Sequence, residues 1–388
     1  MIAKSALASR ERFVRATHVV CHWRDGWAVL TNYATGRSLT GPAVLADIAN
    51  ACAVPKAPAD VRHAFPDLST RTIAEFMTQL ADETILRLAS KRPSRAERAM
   101  DALGPWNPAA GFFHTSTKNV QFGDTRKPET IIGAASSSGA LPEPVKRYPG
   151  CPMVRLPVAT VRGEFSRVLL ARRTHRQFSP TGVTLTELAT LLQLTVGFQG
   201  WLSLKPRNLA PLRTSPSAGA RHPIEAYVLA RNIDHLAPGL YHYASDRHRL
   251  ERLSNGSSPC PIQRYLPSQD WFESAAALVI FVARFTQTRW RYPYSRAYRS
   301  VLIEAGHVCQ TFCLTATWLG LAPFSTAAFD DDAVEGDLRI DGIRESALYV
   351  AGVGRPHAVR SRRSSPDGVP NVHVISNPVF SGQRRRRR

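Results

Sequence analysis

The chain has no Cys-x-x-Cys. Its six cysteines, Cys21, Cys52, Cys151, Cys260, Cys309 and Cys313, are scattered over 388 residues. That spacing argues against a zinc or thioredoxin-like site and against a disulfide scaffold, and it fits a reducing cytoplasm. Cys309 and Cys313 stand four residues apart, which predicts two buried thiols on one apolar helix face. No apolar segment follows Met1-Ile2-Ala3-Lys4, so no signal peptide is expected. The longest apolar run, Ser274 to Ala283, falls far short of the ~20 residues that cross a bilayer and reads as a buried strand. No Gly-x-Gly-x-x-Gly follows an expected strand, so a Rossmann nicotinamide site is not indicated. His222 and His242 lack a second ligand at metal-binding spacing, and no metal is expected. There is no internal repeat.

Acidic residues are scarce as well. Lys and Arg number 50 against 30 Asp and Glu, for a net charge of +20. Part of the excess is the unbroken run Arg384 to Arg388. Such a run can touch nucleic acid, an anionic membrane or an acidic peptide. No aromatic residues alternate with it, so the base-stacking half of a single-strand-binding surface is missing. Residues 359–388 are therefore expected to form a basic, disordered, solubilising tail, with neither nucleic acid nor membrane as the expected partner.

What is present supports a large buried core: the chain is 44% hydrophobic at this length, enough for one large unit and a smaller one. Residues 12–90 read as the smaller. Val19 to Tyr33 suggests two strands around an Asp25-Gly26 turn. Ala43 to Ala53 has helical spacing. Ser69 to Thr72 is positioned to cap a second helix. Thr84 to Leu88 would close the unit as a strand, in a winged-helix-like arrangement. Residues 91–150 are rich in Pro, Ser, Gly and Ala, including Ser136 to Gly139, and read as a linker or wrapping segment. Trp106, Phe112, Phe113 and His114 predict that part of it docks. Residues 151–358 read as one α+β domain. Leu185 to Leu194 and Tyr298 to Leu321 are its helices, the longer one ending at Gly320. Pro223 to Ala230, Ala276 to Ala283 and Leu348 to Val353 are its strands.

Two short runs carry the chemistry. Arg172, Arg173, Thr174, His175 and Arg176 put three guanidinium groups within five residues, and phosphate needs fixed charge with several donors. In extended backbone Arg172, Thr174 and Arg176 point to one side. A solvated basic stretch would read the same. The second run, Ser215-Pro216-Ser217-Ala218-Gly219-Ala220, consists of small residues that let backbone approach a flat ligand, with Gly219 free to take a positive φ. An ordinary turn would read the same. An anion clamp followed by a backbone platform suggests a planar cofactor bearing phosphate, and hence an enzyme.

The runs recur in order with others. Pro238 to Tyr243 follows the small-residue loop. Arg296-Ala297-Tyr298-Arg299 leads into Glu304 to Gln310, with its Gly-His-x-x-Gln, and Ile340-Asp341-Gly342 and Gly352-Val353-Gly354 close the set. Together they resemble the nitroreductase superfamily of flavin enzymes over residues 151 to 356. The detail resembles the SagB/McbC-type dehydrogenases, which form thiazoles and oxazoles in ribosomal peptides. The resemblance implies FMN at a homodimer interface in a nitroreductase-like α+β fold, a central antiparallel-rich sheet flanked by helices. Arg172, Arg173, Thr174 and Arg176 match the positions that hold the phosphate and ribityl chain. Pro216, Ser217, Ala218 and Gly219 match the segment against the isoalloxazine ring. Gln310 matches a polar helix position near the cofactor, and Gly320 and Leu321 the segment beyond that helix. Arg360 or Arg362 would reach the phosphate from beyond the last strand. His307 reads as structural, bonded to a carbonyl.

Departures from the family pattern bear on the reaction. Arg291 stands where the family has lysine, and Tyr292 and Tyr294 compete for its tyrosine. Thr311 replaces an asparagine, and Ala327 a common glycine. Arginine stays protonated, so base work would fall to a tyrosine or to water, unless both tyrosines merely pack. The implied reaction takes two electrons from a peptide thiazoline or oxazoline, with dioxygen reoxidising the flavin. A precursor peptide is the implied substrate, with residues 12–90 as the candidate holder of its leader as an added strand and a cyclodehydratase as a further partner. Three other readings stand beside it: an NAD(P)H-dependent nitro- or quinone reductase, a degenerate scaffold protein, and a DNA-binding protein using the winged helix and tail.

Overall fold

The computed structural model describes residues 11–104, 106–119, 162–205, 208–253 and 261–357. Arg360, Arg362, the basic tail and the 136–139 stretch lie outside them.

The first unit opens with β1 (Phe13–Arg15), followed by β2 (Val19–Arg24), β3 (Trp27–Asn32) and β4 (Arg37–Gly41). β2 and β3 pair with Arg24 opposite Trp27, so the hairpin loop is the expected Asp25-Gly26. Both residues have positive φ, at 50° and 82°, as a tight loop between twisted strands requires. Three helices follow: α1 (Val44–Ala51), α2 (Pro58–Arg62) and α3 (Thr70–Asp82). Ser69 caps α3 by accepting the Thr72 N–H at 3.0 Å. β5 (Leu86–Leu88) then closes the unit against β1. Ile48, Ile73, Met77, Leu80 and Ile85 form its core. The hairpin, the two expected helices and the closing strand are where their patterns placed them. β1, β4 and the short α2 carry too little periodicity to be read.

The stretch read as a linker begins with two helices, α4 (Arg95–Asp101) and α5 (Pro108–Ser116). The predicted docking is specific. The Trp106 ring meets Phe285 and Tyr298 edge-on. Buried His114 bonds the Tyr298 hydroxyl at 3.0 Å and the Gly342 carbonyl at 2.9 Å. Lys118 pairs with the buried Glu335. Toward the first unit, His18 bridges the Tyr33 hydroxyl and Asp101.

The large domain contains, in order, α6 (Glu164–Ala171), β6 (Phe178–Ser179), β7 (Val183–Thr184), α7 (Leu185–Val196), β8 (Gly200–Lys205), β9 (Asn208–Leu212), β10 (Ile224–Ala230), β11 (Ile233–Asp234), β12 (Gly239–Ala244), β13 (Arg249–Arg252), α8 (Ile262–Tyr265), β14 (Ala277–Arg284), α9 (Phe285–Arg291), α10 (Ala297–Trp318), β15 (Ala322–Thr326), α11 (Asp331–Leu338) and β16 (Glu345–Pro356). The main sheet runs β13-β12-β10-β14-β16-β15, with β6 added to β16, and every pairing in it is antiparallel. β14 explains the apolar run in the sequence. Its alternate residues Ala277, Val279, Phe281 and Ala283 enter the core under α7 and α10. Leu278, Ile280 and Val282 enter the core on the opposite face, with Val334 and Leu338 of α11. A strand buried on both faces needs no polar alternation.

α10 is the long helix expected from the pattern. Gly320, at φ 72°, ends it: the Leu321 N–H bonds the Ala316 carbonyl at 2.8 Å. Cys309 and Cys313 are both buried free thiols, as expected. Among the described residues no helix is long and apolar enough to cross a membrane.

Candidate functional site

The loop between β9 and β10 is tied to α10 by its hydroxyls. Ser215 Oγ lies 2.7 Å from Thr311 Oγ1. Ser217 Oγ donates to Glu304 Oε2 at 2.6 Å and accepts the His222 N–H at 2.8 Å. The chain turns tightly here: Gly219, Ala220 and His222 have φ of 59°, 52° and 44°. Two left-handed non-glycine residues in four positions store strain that surrounding bonds must hold.

Glu304 is the residue that sequence reading passed over. It is 3% exposed, and its Oε1 makes no hydrogen bond. Burial pushes its carboxyl up to about 7, although the Ser217 bond and the nearby Arg213 charge pull the other way. His222 Nδ1 lies 3.8 Å from Oε1. Burial, then Arg213, pushes that imidazole down to about 4. Both groups thus favour their neutral forms, and the contact is not an ion pair. Arg213 is anchored on the Ile224 carbonyl at 2.6 Å and Ser245 Oγ at 3.0 Å. A signal existed in the sequence: Glu304 falls on the apolar stripe of Val301, Ala305 and Val308, where a carboxylate has no ordinary place.

Two of the sequence-predicted runs come together. A Cβ placed on Gly219 would lie 2.9 Å from the Tyr292 hydroxyl and 3.4 Å from Arg291 Cγ. The Tyr292 and Tyr294 rings are 5.9 Å apart. Tyr292 is half-buried, while Tyr294, Arg291, Pro216 and Gly219 are exposed. The turn carrying these side chains is buttressed from α4 and α5: the Arg289 guanidinium bonds the Ala102 carbonyl, and the Asn107 N–H bonds Ser295 Oγ at 2.8 Å.

The arginine run lies further along α10. It leaves α6, and the His175 N–H bonds the Pro323 carbonyl of β15 at 3.0 Å. Thr174 and Arg176 flank His175 and are exposed; Arg172 is half-exposed. Arg173 folds back onto the Leu170 and Arg172 carbonyls. Helix α6, which the run leaves, is tied to the end of α10: Trp318 Nε1 donates to Glu164 Oε1 at 3.1 Å. The 215–222 loop and the arginine run therefore sit against different turns of α10.

The remaining positions divide. Gln310 is exposed on the outer face of α10 beside Ile303 and His307. His307 makes no side-chain hydrogen bond among the described residues, so the expected carbonyl bond is corrected; its ring projects away from the core. The Leu321 side chain is in the core and Gly320 caps the helix, so these two offer a ligand only backbone.

The structure is a layered α+β protein whose exposed arginine run and small-residue loop lie against one long helix. The nitroreductase family profile matches residues 169–355. The Methanocaldococcus jannaschii protein MJ1384, which carries a nitroreductase name, is 32% identical over 188 residues, 48% of this chain and 89% of that protein. The chain belongs to the nitroreductase family. The trifolitoxin-processing protein TfxB of Rhizobium leguminosarum bv. trifolii is 34% identical over 144 residues, 34% of this chain and 37% of TfxB. Among solved structures, the E. coli microcin synthetase McbBCD complex with truncated pro-MccB17 bound covers 62% of this chain and 85% of that chain, at 20% identity and a TM-score of 0.42. That likeness is too loose to bear on function.

Proposed function

We propose that this nitroreductase-family oxidoreductase uses FMN to oxidise thiazoline or oxazoline rings in a ribosomal peptide to thiazoles or oxazoles. One observation carries the reading: the Tyr292 hydroxyl and the Arg291 stem lie against the positive-φ glycine of the loop assigned to the flavin ring. A phenol is thereby held at the edge of the platform, where a substrate ring would stack.

FMN fits the residues present. Among the described residues no carboxylate pairs with Arg172 or Arg176, so both guanidinium groups are free for phosphate. The missing Cβ of Gly219 lets Tyr292 and Arg291 close against the loop, and exposed Pro216 and Gly219 leave loop surface on which a flat ring can lie. Bound there, FMN supplies a two-electron acceptor. The chain's own part is to hold the peptide ring between the 216–219 loop and the 291–294 turn, and to take a ring proton. Tyr292 is the assigned acceptor, a role open only to its phenolate, which the ring proton would return to phenol, with Tyr294 as its neighbour. Arg291 supplies fixed positive charge toward the reacting ring.

The same reading includes a homodimer, a precursor peptide and a cyclodehydratase partner. Leu302 and Ile303 on α10, and Phe165 on α6, are exposed apolar side chains suited to a second copy. β4 has only β3 beside it among the described residues, leaving an edge to which a leader could add as a strand. The similarity to a protein named for trifolitoxin processing supports a peptide substrate.

The test is purified protein with FMN and a thiazoline peptide, with loss of two hydrogens followed by mass spectrometry. Tyr292→Phe with Tyr294→Phe should slow azole formation at least tenfold, to the order expected for losing a general base, while FMN stays bound. Full activity in that double variant removes the tyrosine assignment. The second reading, an NAD(P)H-dependent nitro- or quinone reductase, is favoured by the match over most of the archaeal relative. Bleaching of bound flavin by NAD(P)H without peptide would select it. Colourless protein that cannot take up FMN would select a scaffold.

A further inference from the structure

Beside the tyrosines lies a surface the redox reading does not use. Arg221 leaves the platform with its Nε donating to the Gly219 carbonyl at 2.9 Å. Its guanidinium sits 5.2 Å from the centre of the Trp290 ring. Trp290 is 68% exposed and Tyr294 51%. Arg291, Arg296 and Arg299 are exposed too. These side chains are not on a loose loop. The Tyr294 N–H bonds the Tyr292 carbonyl, Ala297 bonds Tyr294, and Arg299 bonds Arg296, so residues 292–299 form consecutive turns running into α10.

Several arginines elsewhere in the domain are paired with carboxylates. Arg231 meets Glu273, Arg264 meets Asp337, Arg284 meets Glu225 and Glu345, and Arg355 holds Glu187 with two nitrogens. Among the described residues no carboxylate pairs with Arg221, Arg291, Arg296 or Arg299. This stretch of chain thus carries four guanidinium groups without a carboxylate partner among the described residues, one of them stacked on an exposed tryptophan. Arginine and aromatic rings together are the composition of a recognition surface.

We propose that this patch receives carboxylate side chains of the peptide being oxidised, so that the preferred substrate carries Asp or Glu within a few residues of the reacting ring. The proposal rests on the peptide reading above and adds the chemistry of the sequence around the ring. Guanidinium pairs with carboxylate through two parallel hydrogen bonds. Pairs at an exposed rim set specificity and association rate more than total affinity, and salt weakens them. Trp290 and Tyr294 would cover the stems of the acidic side chains. A nucleotide phosphate has the same charge and is the competing claimant.

The experiment uses the full-length protein loaded with FMN and two synthetic peptides that share one thiazoline, flanked by Glu in one and by Gln in the other. The Glu peptide should have a kcat/KM about tenfold higher at low salt, through KM, with the advantage shrinking as ionic strength passes about 0.15 M. Arg296→Gln with Arg299→Gln should bring the ratio close to one. Fluorescence anisotropy of labelled peptides reads binding separately from chemistry. Tighter binding of the Glu peptide through these arginines, with neither ring oxidised, supports the patch and removes the azoline reading. Equal binding of the two peptides overturns the patch, as does a preference that survives in the double variant. NADPH bound through Arg296 and Arg299, with no difference between the peptides, overturns it in favour of a nucleotide phosphate.

Discussion

The loop at 215–222 is tied down from below, and the arginine run at 172–176 is not. Ser215 and Ser217 anchor the loop on Thr311 and Glu304 of α10, and Arg213 fixes its entry on Ile224 and Ser245. The run is held by helix α6 behind it and one backbone bond from His175 to Pro323, and Thr174 and Arg176 reach into solvent. Under the proposed function, each wall suits its task. A flat ring must be met by backbone at fixed positions, so the polar groups behind that backbone are buried and bonded. A phosphate is met by charge, and unpaired charge is tolerable only where water can solvate it until the ligand arrives. One wall therefore couples to folding, while the other couples to binding.

Variants should separate the two. The largest expected effect is at the clamp and leaves the fold untouched. Arg172→Ala with Arg176→Ala should weaken FMN binding by more than about a hundredfold, since hydrogen bonds to charged groups contribute ~1.5–3 kcal/mol each. The melting temperature of the FMN-free protein should not move; a fluorescence titration and a thermal melt test both halves. Next is Ser217→Ala, which should destabilise the protein by about 2 kcal/mol in urea denaturation, because it leaves the His222 N–H and Glu304 Oε2 buried without partners. An unchanged urea midpoint would mean that the loop is not braced through this hydroxyl.

The smallest effect is one of pH. Glu304, held at about 7 against an ordinary 4.5, favours the fold while protonated. Its contribution is full below 4.5 and is lost as pH rises towards about 7. His222, held at about 4 against an ordinary 6.5, favours the fold while neutral. Its contribution is full above 6.5 and is lost as pH falls. Between those limits the slopes oppose each other. Arg213, Ser217 and Glu225 around the pair keep their own states there. Glu304→Gln keeps the bond to Ser217 and removes one slope, so stability should then rise from pH 4.5 to 6.5 by on the order of 1 kcal/mol. Chemical denaturation at several pH values checks it, and a falling profile would contradict it.

What could be read from the sequence follows the range of each signal. β14 and α10 announce themselves through periodicity and length, because burial on both sides of a sheet, or on one helix stripe, constrains every residue. The Asp25-Gly26 hairpin is legible because the turn needs residues that accept positive φ. The meeting of Gly219 with Tyr292 could not be read from the sequence: a contact across more than seventy residues leaves no local mark. Glu304 was visible only as an acid in the wrong stripe. The Ala-, Pro- and Ser-rich composition after residue 90 hid α4 and α5, since it is weak evidence in a short helix whose stability comes from what it packs against.

Those two helices alter where the catalytic unit can be cut. A fragment starting at residue 151, where the family resemblance begins, would lack Trp106, His114 and Lys118. Phe285 and Tyr298 would be uncovered, Glu335 would keep no lysine, and the Gly342 carbonyl would lose two of its donors. The brace at Arg289 and Ser295 under the tyrosine turn would go with them. The smallest piece worth expressing, or grafting onto another N-terminal module, therefore begins before residue 95, and the family's sequence footprint understates the unit that packs together.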